Sequence, residues 1–269
     1  MTWRRGWLAM YDLDTGITAD YKNKTVVKSM AVLNLFLEHE RLTLNEMVQL
    51  LHAPKTSVYR MVGSLEEMGF LRKDSESRYS LGLLFLRFGR LVSERLDIRN
   101  TVLPIMRELR DRVDEAVNLI VRDHDGAVYI EKVDTSRPVR IYNNPGRRAP
   151  MYGGACPRIL LSFMSPAEQE AYLARVQLVP VGRNTITDMQ ELRRVLDEAR
   201  DRGYSISHSE LENDTSSVAA PLMDHTGTVV AGLSIAGPTS RFGPDAVPVF
   251  LENLLLYAKK ASRELGWNG

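Results

Sequence analysis

Apolar residues recur at helical spacing in three short stretches between residues 25 and 68, which predicts three consecutive amphipathic helices. The first is predicted over Thr25 to Leu37, with Val26, Met30, Leu33 and Leu37 on its apolar face. The second helix is predicted to begin after Thr43. Thr43 and Glu46 have the spacing of a capping box, in which each side chain bonds a backbone N–H group at the helix start. The third begins at Pro54, where the missing N–H group costs nothing, and ends at Gly69.

The third helix has two contrasting faces. Its apolar positions are Val58, Met61, Val62, Leu65 and Met68. The opposite face is short, hydroxyl-rich and basic in its first two turns, and consists of Lys55, Thr56, Ser57, Tyr59, Arg60, Gly63 and Ser64. Such a face can enter a DNA major groove, where hydroxyl groups reach phosphates or bases and Arg60 can form two hydrogen bonds with guanine. The alternative is a helix of a small core unit whose polar face is simply solvated.

Two short strands are predicted next, Phe70 to Lys73 and Arg78 to Leu81, around a polar turn. Three helices followed by a hairpin, in this order, indicate a winged helix-turn-helix. On the hairpin we expect Arg72, Lys73 and Arg78 to contact the DNA backbone. The order of the elements therefore favours DNA reading over the solvated alternative.

Residues 83–100 predict a helical linker that is apolar at Leu83, Leu86, Leu91 and Ile98 and basic at Arg87, Arg90 and Arg95. A helix there transmits orientation between two domains, which a flexible coil would not. Another helix is predicted from Pro104 to Arg112.

From Ala116 the period changes to two, and strands and helices then follow each other without regular alternation. We predict strands at 117–121, 128–133, Pro138 to Tyr142, Tyr204 to Ser209, Ser217 to Met223 and Thr228 to Ala236. The predicted helices begin near Gly154, at Pro166 after Ser165, after Thr187 and at Ala246. This pattern predicts an α+β domain with an antiparallel sheet.

Length and composition narrow the possible classes. At 269 residues the chain can form two domains, and its 35 basic and 34 acidic residues argue against a purely electrostatic DNA binder. One cysteine excludes an intramolecular disulfide, and no apolar run approaches the ~20 residues of a membrane span. We therefore expect a soluble cytoplasmic protein.

No catalytic or cofactor motif is evident. The five histidines, at positions 39, 52, 124, 208 and 225, lack metal-ligand spacing, and there is neither a P-loop nor a dinucleotide fingerprint, so no cofactor and no metal are predicted. A ligand-sized polar set does exist. Gly154 and Ala155 begin a helix whose N–H groups could face an anion, and Ser217 and Ser234 lie on two strands that a turn makes adjacent. The alternative is that the glycines only permit a turn and the serines are ordinary strand residues.

The N-terminal motifs resemble the DNA-binding domain of the IclR family of bacterial transcriptional regulators. The matching runs are Lys28-Ser29 at the first helix, Pro54-Lys55-Thr56-Ser57-Val58-Tyr59-Arg60 at the recognition helix, and Tyr79-Ser80-Leu81-Gly82 at the end of the wing. The resemblance adds Lys28, Ser29 and Tyr79 to the expected DNA-binding residues. This chain has Met61 and Met68 where the family usually has leucines behind the recognition helix. Exchange of leucine for methionine is tolerated in a hydrophobic core.

The run HSELENDTSSVAAPLMDHTGTVVAGLSIAGPTSRF is similar to the effector-domain signature of the same family. The resemblance implies a GAF-like domain that binds a small carboxylate, an aromatic acid or a related metabolite. The positions that it implies as effector contacts are Gly154, Ala155, Ser207, Ser217, Ser234 and Ala236, and the expected aromatic or apolar walls are Tyr129, Tyr142, Tyr152 and Met223. Ser217 and Ala236 replace the Cys and second Ser of members that bind the smallest ketoacids. Each lost hydrogen bond is worth roughly 0.5–1.5 kcal/mol, so a larger or less charged effector than glyoxylate or pyruvate is expected.

Together these observations predict four segments: an N-terminal extension at 1–24, a winged helix-turn-helix at 25–82, a helical linker at 83–100 and an effector-binding domain at 101–269. In the extension, Trp3, Trp7 and Tyr11 permit a short helix, whereas Arg4 and Arg5 would suit a mobile arm on DNA. The leading hypothesis is a regulator, by preference a repressor, that binds operator DNA as a homodimer or homotetramer under control of a small metabolite. The alternatives are an enzyme with Cys156 as nucleophile and an architectural DNA-binding protein without a ligand.

Overall fold

The computed structural model describes residues 23–94, 97–141 and 144–269, and the chain divides between residues 95 and 96 into two compact units. The predictions for Trp3, Arg4, Arg5, Trp7 and Tyr11 lie outside the described residues.

The first unit contains four helices and a small sheet within its described residues. Its elements are α1 (Lys24–Asn34, continued by a 3-10 turn at Leu35–Leu37), β1 (Leu42–Thr43), α2 (Leu44–Leu51), α3 (Lys55–Glu67), β2 (Leu71–Lys73), β3 (Arg78–Leu81) and α4 (Leu84–Glu94). The three strands are antiparallel in the order β1-β3-β2. The short β1 was not predicted, because two residues carry no period. The order of the elements is that of the predicted winged helix-turn-helix.

Local signals fix the ends of these helices. The Thr43 hydroxyl accepts from the Glu46 N–H at 3.3 Å, and the Glu46 carboxylate accepts from the Thr43 N–H at 2.7 Å, so the predicted capping box is present. These bonds to Thr43 hold the pKa of Glu46 below its usual value. Gly69 adopts φ 78° just after α3, a conformation that glycine reaches without strain.

The core of the first unit is assembled from one face of each helix. Val58, Met61, Val62 and Leu65 of α3 are buried as predicted. Met68 is exposed, because it caps the helix after the last buried turn. The predicted face of α1 is correct only at Leu33, which is buried together with Val32 and Phe36, whereas Val26, Met30 and Leu37 are exposed.

The second unit is built on one six-stranded sheet. Its described elements are α5 (Asp97–Val113), β4 (Ala116–Asp123), β5 (Gly126–Val133), β6 (Arg148–Pro150), α6 (Ala155–Ser162), α7 (Pro166–Leu173), α8 (Met189–Arg202), β7 (Ser205–His208), β8 (Thr215–Met223), β9 (Val229–Pro238) and α9 (Ala246–Glu264). The strand order is β6-β5-β4-β9-β8-β7, and all neighbours are antiparallel. The predicted α+β class with an antiparallel sheet is confirmed.

Helices cover both faces of this sheet and give it two cores. α5 and α9 pack on one face around residues such as Met106, Leu233 and Leu254. α6 and α8 pack on the other face around Ile120, Ile159 and Leu196. Because both faces are covered, a polar side chain that points inward from a central strand is removed from bulk water.

Two predicted elements of this unit are wrong. Pro104 does not begin a helix but lies inside α5, where burial of Val102, Ile105 and Met106 offsets the one missing N–H group. Residues 138–141 form no strand, and Tyr142 lies outside the described residues. That segment is instead held through its carbonyl groups, since Arg241 donates to Val139 at 3.1 Å and Lys132 donates to Ile141 at 2.9 Å.

None of the described helices is long and apolar enough to cross a membrane.

Candidate nucleic-acid interface and ligand pocket

The start of α3 presents a polar face to solvent. Pro54 occupies the cap position, and the helix then runs for 13 residues with its apolar side against α1 and α2. The exposed predicted residues are Lys55, Thr56, Tyr59, Arg60 and Ser64, while Ser57 is half-buried. Tyr59 is 64% exposed, which is unusual for an aromatic ring without a partner surface. A major groove admits a helix with such a face.

The hairpin carries further cations beside this helix within the first unit. Arg72 and Lys73 are exposed, and the Arg72 Nε donates to the Ser80 hydroxyl at 2.9 Å. Arg78 is half-buried and lies 3.8 Å from the Glu46 carboxylate, so its charge is partly compensated. On α1, Lys28 is exposed and Ser29 is half-buried.

Tyr79 is not placed to contact DNA. Its side chain is only 6% exposed because it packs into the core of the first unit. The Lys73 ammonium lies 5.6 Å from the centre of its ring. Tyr79 therefore supports Lys73 rather than reading the groove, and we remove it from the expected contact set.

The second unit contains a polar pocket between the start of α6 and three central strands. Antiparallel register places Ser207 opposite Ser217, and Ser217 opposite Ala236. Ser234 lies opposite Asn118 on β4. The Ser207 and Ser217 hydroxyl oxygens are 2.9 Å apart. Sheet register thus brings together Asn118 and Ser234, which are 116 positions apart in the chain.

The pocket is small, with a cavity volume of about 30 Å³, and is partly open to solvent. Its lining residues are Asn118, Tyr129, Ile141, Arg147, Gly154, Ala155, Cys156, Pro157, Ser207, Glu210, Leu211, Glu212, Thr215, Ser216, Ser217, Ser234 and Ala236. Seven of the ten expected effector contacts are among them: Gly154, Ala155, Ser207, Ser217, Ser234, Ala236 and Tyr129.

Two of the expected wall residues lie elsewhere. The Tyr152 hydroxyl donates to the Val179 carbonyl and accepts from the Val179 N–H, both at 3.0 Å, so it holds the chain after α7. Met223 lies at the far end of β8, where its N–H donates to Ser262. Tyr142 lies outside the described residues.

The N–H group at the start of α6 is already bonded. The Glu210 carboxylate accepts from the Gly154 N–H at 3.1 Å and from the Arg158 Nη1 at 2.6 Å. Arg158 also donates to the Ser205 hydroxyl and the Ile206 carbonyl, and the side chains of Arg158 and Glu210 are 4% and 8% exposed. The Gly154 N–H group that was expected to face an anion therefore bonds a carboxylate of the chain itself.

Leu211 closes the pocket over the same helix start. A Cβ atom on Gly154 would lie 2.8 Å from Leu211 Cδ1, and one on Gly153 would lie 2.9 Å from Leu211 Cδ2. Gly154 also adopts φ 81°. Gly154 is thus favoured both by its backbone conformation and by the close approach of Leu211, and Gly153 by the close approach alone.

A second ion pair lies at the pocket wall. Arg147 Nη1 is 2.8 Å from the Glu212 carboxylate, and its guanidinium lies 5.7 Å from the centre of the Tyr129 ring. Burial raises the pKa of Tyr129, so its hydroxyl stays protonated. The lining contains Arg147, Glu210 and Glu212, while Arg158, which pairs with Glu210, lies outside it. Each of the two glutamates thus has an arginine partner that balances its charge.

Reasoning from sequence missed Asn118, Arg147, Glu210 and Glu212. Asn118 did carry a signal, because it is the one polar residue in the run Ala116-Val117-Asn118-Leu119-Ile120-Val121. The others lie in loops, where spacing along the chain does not indicate which residues meet.

Cys156 lies in this pocket but is a poor nucleophile. It is 2% exposed, and burial raises the pKa of its thiol well above the ordinary value, although a hydrogen bond with Ser234 opposes this shift. Within the described ranges, no group of three or more His, Cys, Asp or Glu side chains could hold a metal ion.

We expect Cys156 to react slowly with a thiol-specific reagent such as iodoacetamide at pH 7. Its raised pKa leaves less thiolate than the few per cent of a free thiol, and burial blocks access. The chain has no other cysteine, so labelling of the unfolded chain in guanidinium is a direct control and should be at least ~100-fold faster. Fast labelling of the folded protein would instead favour the enzyme hypothesis.

Comparison with known proteins gives consistent matches along the chain. A family model described as bacterial transcriptional regulator IclR C-terminal matches residues 91–263, and one described as IclR helix-turn-helix domain matches residues 25–75. The chain is similar to the HTH-type transcriptional regulator KipR of Bacillus subtilis (strain 168), with 51% identity over 246 residues that cover 91% of this chain and 98% of that protein.

Two solved structures are similar in fold. The IclR of Thermotoga maritima has a TM-score of 0.73 and 29% identity, covering 90% of this chain and 99% of that one. An IclR homolog from Microbacterium hydrocarbonoxydans complexed with 4-hydroxybenzoate has a TM-score of 0.76 and 25% identity, covering 90% and 98% of the two chains.

Proposed function

This chain belongs to the IclR family of bacterial transcriptional regulators, and from that premise we propose that it is a cytoplasmic repressor whose operator binding is controlled by a small organic acid. The observation that carries the proposal is the pocket of the second unit, where hydroxyl groups and Arg147 line a partly open space and the lining residue Glu210 is held by the buried Arg158. The exposed start of α3 supplies the DNA-reading element of the same chain. Repression is the commoner mode that the resemblance implies.

We propose that a homodimer reads two half-sites, with one α3 in each major groove. Apolar side chains left exposed within the first unit support this assembly: Val26 and Met30 on α1, and Leu86 and Phe88 on α4. Solvated helices seldom keep such residues, and a second copy of the chain would cover them. A homotetramer would follow from further contacts between second units.

The matches of the helix-turn-helix family model to residues 25–75 and of the C-terminal family model to residues 91–263 support separate roles for the segments. We propose that residues 25–82 read DNA, that the helical segment 83–100 links the units, that residues 101–269 bind the effector in a GAF-like domain, and that residues 1–24 form an extension. A binding event in the pocket can alter operator affinity only if the effector binds one arrangement of the protein more tightly than another.

The carboxylate of the effector would take the place of Glu210. Gly154 N–H and Arg158 Nη1 both bond Glu210 now, and together they offer two donors and one positive charge. An incoming carboxylate can use the same donors when the loop that carries Glu210 and Leu211 moves away. The hydroxyl groups of Ser207, Ser217 and Ser234 then provide contacts for the remaining polar atoms.

A two-step screen tests this proposal. Operator DNA is first selected from a random library with the purified protein, and a panel of small aliphatic and aromatic acids is then screened by thermal shift, with and without that DNA. We expect at least one acid to raise the melting temperature and to weaken DNA binding. If sequence-selective DNA is recovered but no acid has either effect, the protein is a ligand-independent binder. Recovery of no selective DNA would contradict the assignment to α3.

Replacing Glu210 with Gln should tighten binding of the active acids by at least about tenfold, since the acid no longer competes with an internal carboxylate for Arg158. The measurement is the Kd by isothermal titration calorimetry. Glu212→Gln is the matched control. It also removes one negative charge from an ion pair at the pocket wall, that with Arg147, but it leaves Glu210 bonded to the Gly154 N–H and to Arg158. Equal effects of the two variants would indicate a general electrostatic change rather than displacement of Glu210.

A further inference from the structure

Asn118 lies at the centre of the sheet and is fully buried. Its neighbours on β4 are Val117 and Leu119, and its partner across to β9 is Ser234. The Asn118 Nδ2 donates to the Ser234 hydroxyl at a long distance of 3.4 Å. The Asn118 Oδ1 has no hydrogen-bond partner among the described residues. Buried polar atoms nearly always have a hydrogen-bond partner, and leaving one without a partner costs free energy. We therefore expect this oxygen to accept a hydrogen bond from a group outside the chain.

The Asn118 side chain faces the pocket. Asn118 lines the same space as Gly154 at the start of α6 and Ser234 on β9. A ligand that fills the pocket therefore meets this side chain as well as Gly154, and it reaches Arg158 once Glu210 is displaced.

From this geometry we infer that Asn118 recognises a hydroxyl group of the effector, so that the ligand is a hydroxy acid rather than a plain carboxylic or keto acid. A hydroxyl donates one hydrogen bond and accepts others, so it satisfies the amide whether the oxygen or the nitrogen faces the pocket. A keto oxygen cannot donate, and a hydrogen or methyl group leaves the amide unbonded. Sites built to bond a substrate hydroxyl discriminate strongly against the analogue that lacks it. This inference rests on the proposed acid-binding function and narrows the class of acid.

Matched pairs of acids that differ by one hydroxyl group test the inference: benzoate and 4-hydroxybenzoate, propionate and lactate, and succinate and malate. Binding is measured by thermal shift and calorimetry on the full-length protein. We expect the hydroxylated member of at least one pair to bind the wild type at least tenfold more tightly. In Asn118→Leu that ratio should fall to near one, while the Kd of the plain acid changes less than threefold.

Asn253→Leu is the matched control, because it makes the same exchange on α9, outside the pocket lining, at a side chain that donates to the Val249 carbonyl of its own helix. It should keep the wild-type ratio. Asn118→Ala carries the same expectation as Asn118→Leu and serves if the leucine variant does not fold.

The outcomes separate this inference from the function on which it rests. If no acid of any pair binds, the acid effector is refuted and the hydroxyl preference with it. If acids bind but both members of every pair bind equally, or if both Asn118 variants keep the preference, only the role of Asn118 is overturned.

Discussion

Arg158→Met should lower the free energy of unfolding of the second unit by about 3–5 kcal/mol, because it leaves the buried Glu210 carboxylate without its charged partner. The same exchange removes hydrogen bonds to the Ser205 hydroxyl and the Ile206 carbonyl, which lie in β7. The measurement is urea unfolding followed by circular dichroism, where a shift in midpoint at constant slope reports stability.

Two further variants show whether the lost ion pair causes the effect. Arg193→Met removes an arginine that pairs with Glu170 at the surface, and it should unfold within error of the wild type. The double variant Arg158→Met, Glu210→Leu removes both buried charges and should recover most of the lost stability. A double variant as unstable as the single one would mean that packing of the arginine, rather than its charge, is what matters.

Arg60→Ala should abolish operator selectivity while leaving the thermal stability of the protein unchanged. Arg60 is exposed on α3, so its removal disturbs no core, whereas loss of a bidentate contact to guanine costs about 1–3 kcal/mol at each half-site. The measurement is fluorescence anisotropy with the selected operator and with a scrambled duplex of the same length, which gives a specificity ratio.

Lys55→Ala provides the comparison for this experiment. Lys55 is exposed at the first position of the same helix, where a phosphate contact is expected. Its removal should weaken binding to both duplexes equally and reduce the salt dependence by about one ion at each half-site. An Arg60→Ala protein that keeps the wild-type specificity ratio would show that α3 is not the base-reading element.

Local patterns were sufficient to predict most of the first unit. The capping box of Thr43 and Glu46, the start of α3 at Pro54 and the end at Gly69 depend on residues within a few positions of each other, so the sequence reveals them directly. Where burial depends on distant contacts, the pattern failed. Val26 and Met30 have the spacing of a core face but are exposed, since the core instead takes Val32 and Phe36.

In the pocket, too, the residues placed by local signals were predicted and those brought together by distant contacts were not. Gly154 and Ser234 were predicted because a helix start and a hairpin place them, or because their motifs match those of the family. The pair of Arg158 and Glu210 spans 52 positions, and no spacing rule connects a helix to a loop at that distance. Asn118 was visible as a polar residue in an apolar strand, but only the register with Ser234 gives it a role.

Leu211 covers the pocket, and this affects how fast a bound effector can leave. The loop that carries it is fastened from outside the pocket: the Thr185 hydroxyl donates to the Glu210 carbonyl at 2.7 Å, and the Asn184 N–H donates to the Ser209 carbonyl at 3.0 Å. If these bonds must open before an acid enters or leaves, the residence time of the effector is set by the loop rather than by the acid's own contacts. Cells would then respond to the recent history of the metabolite, since a bound regulator would persist after the free acid had been consumed.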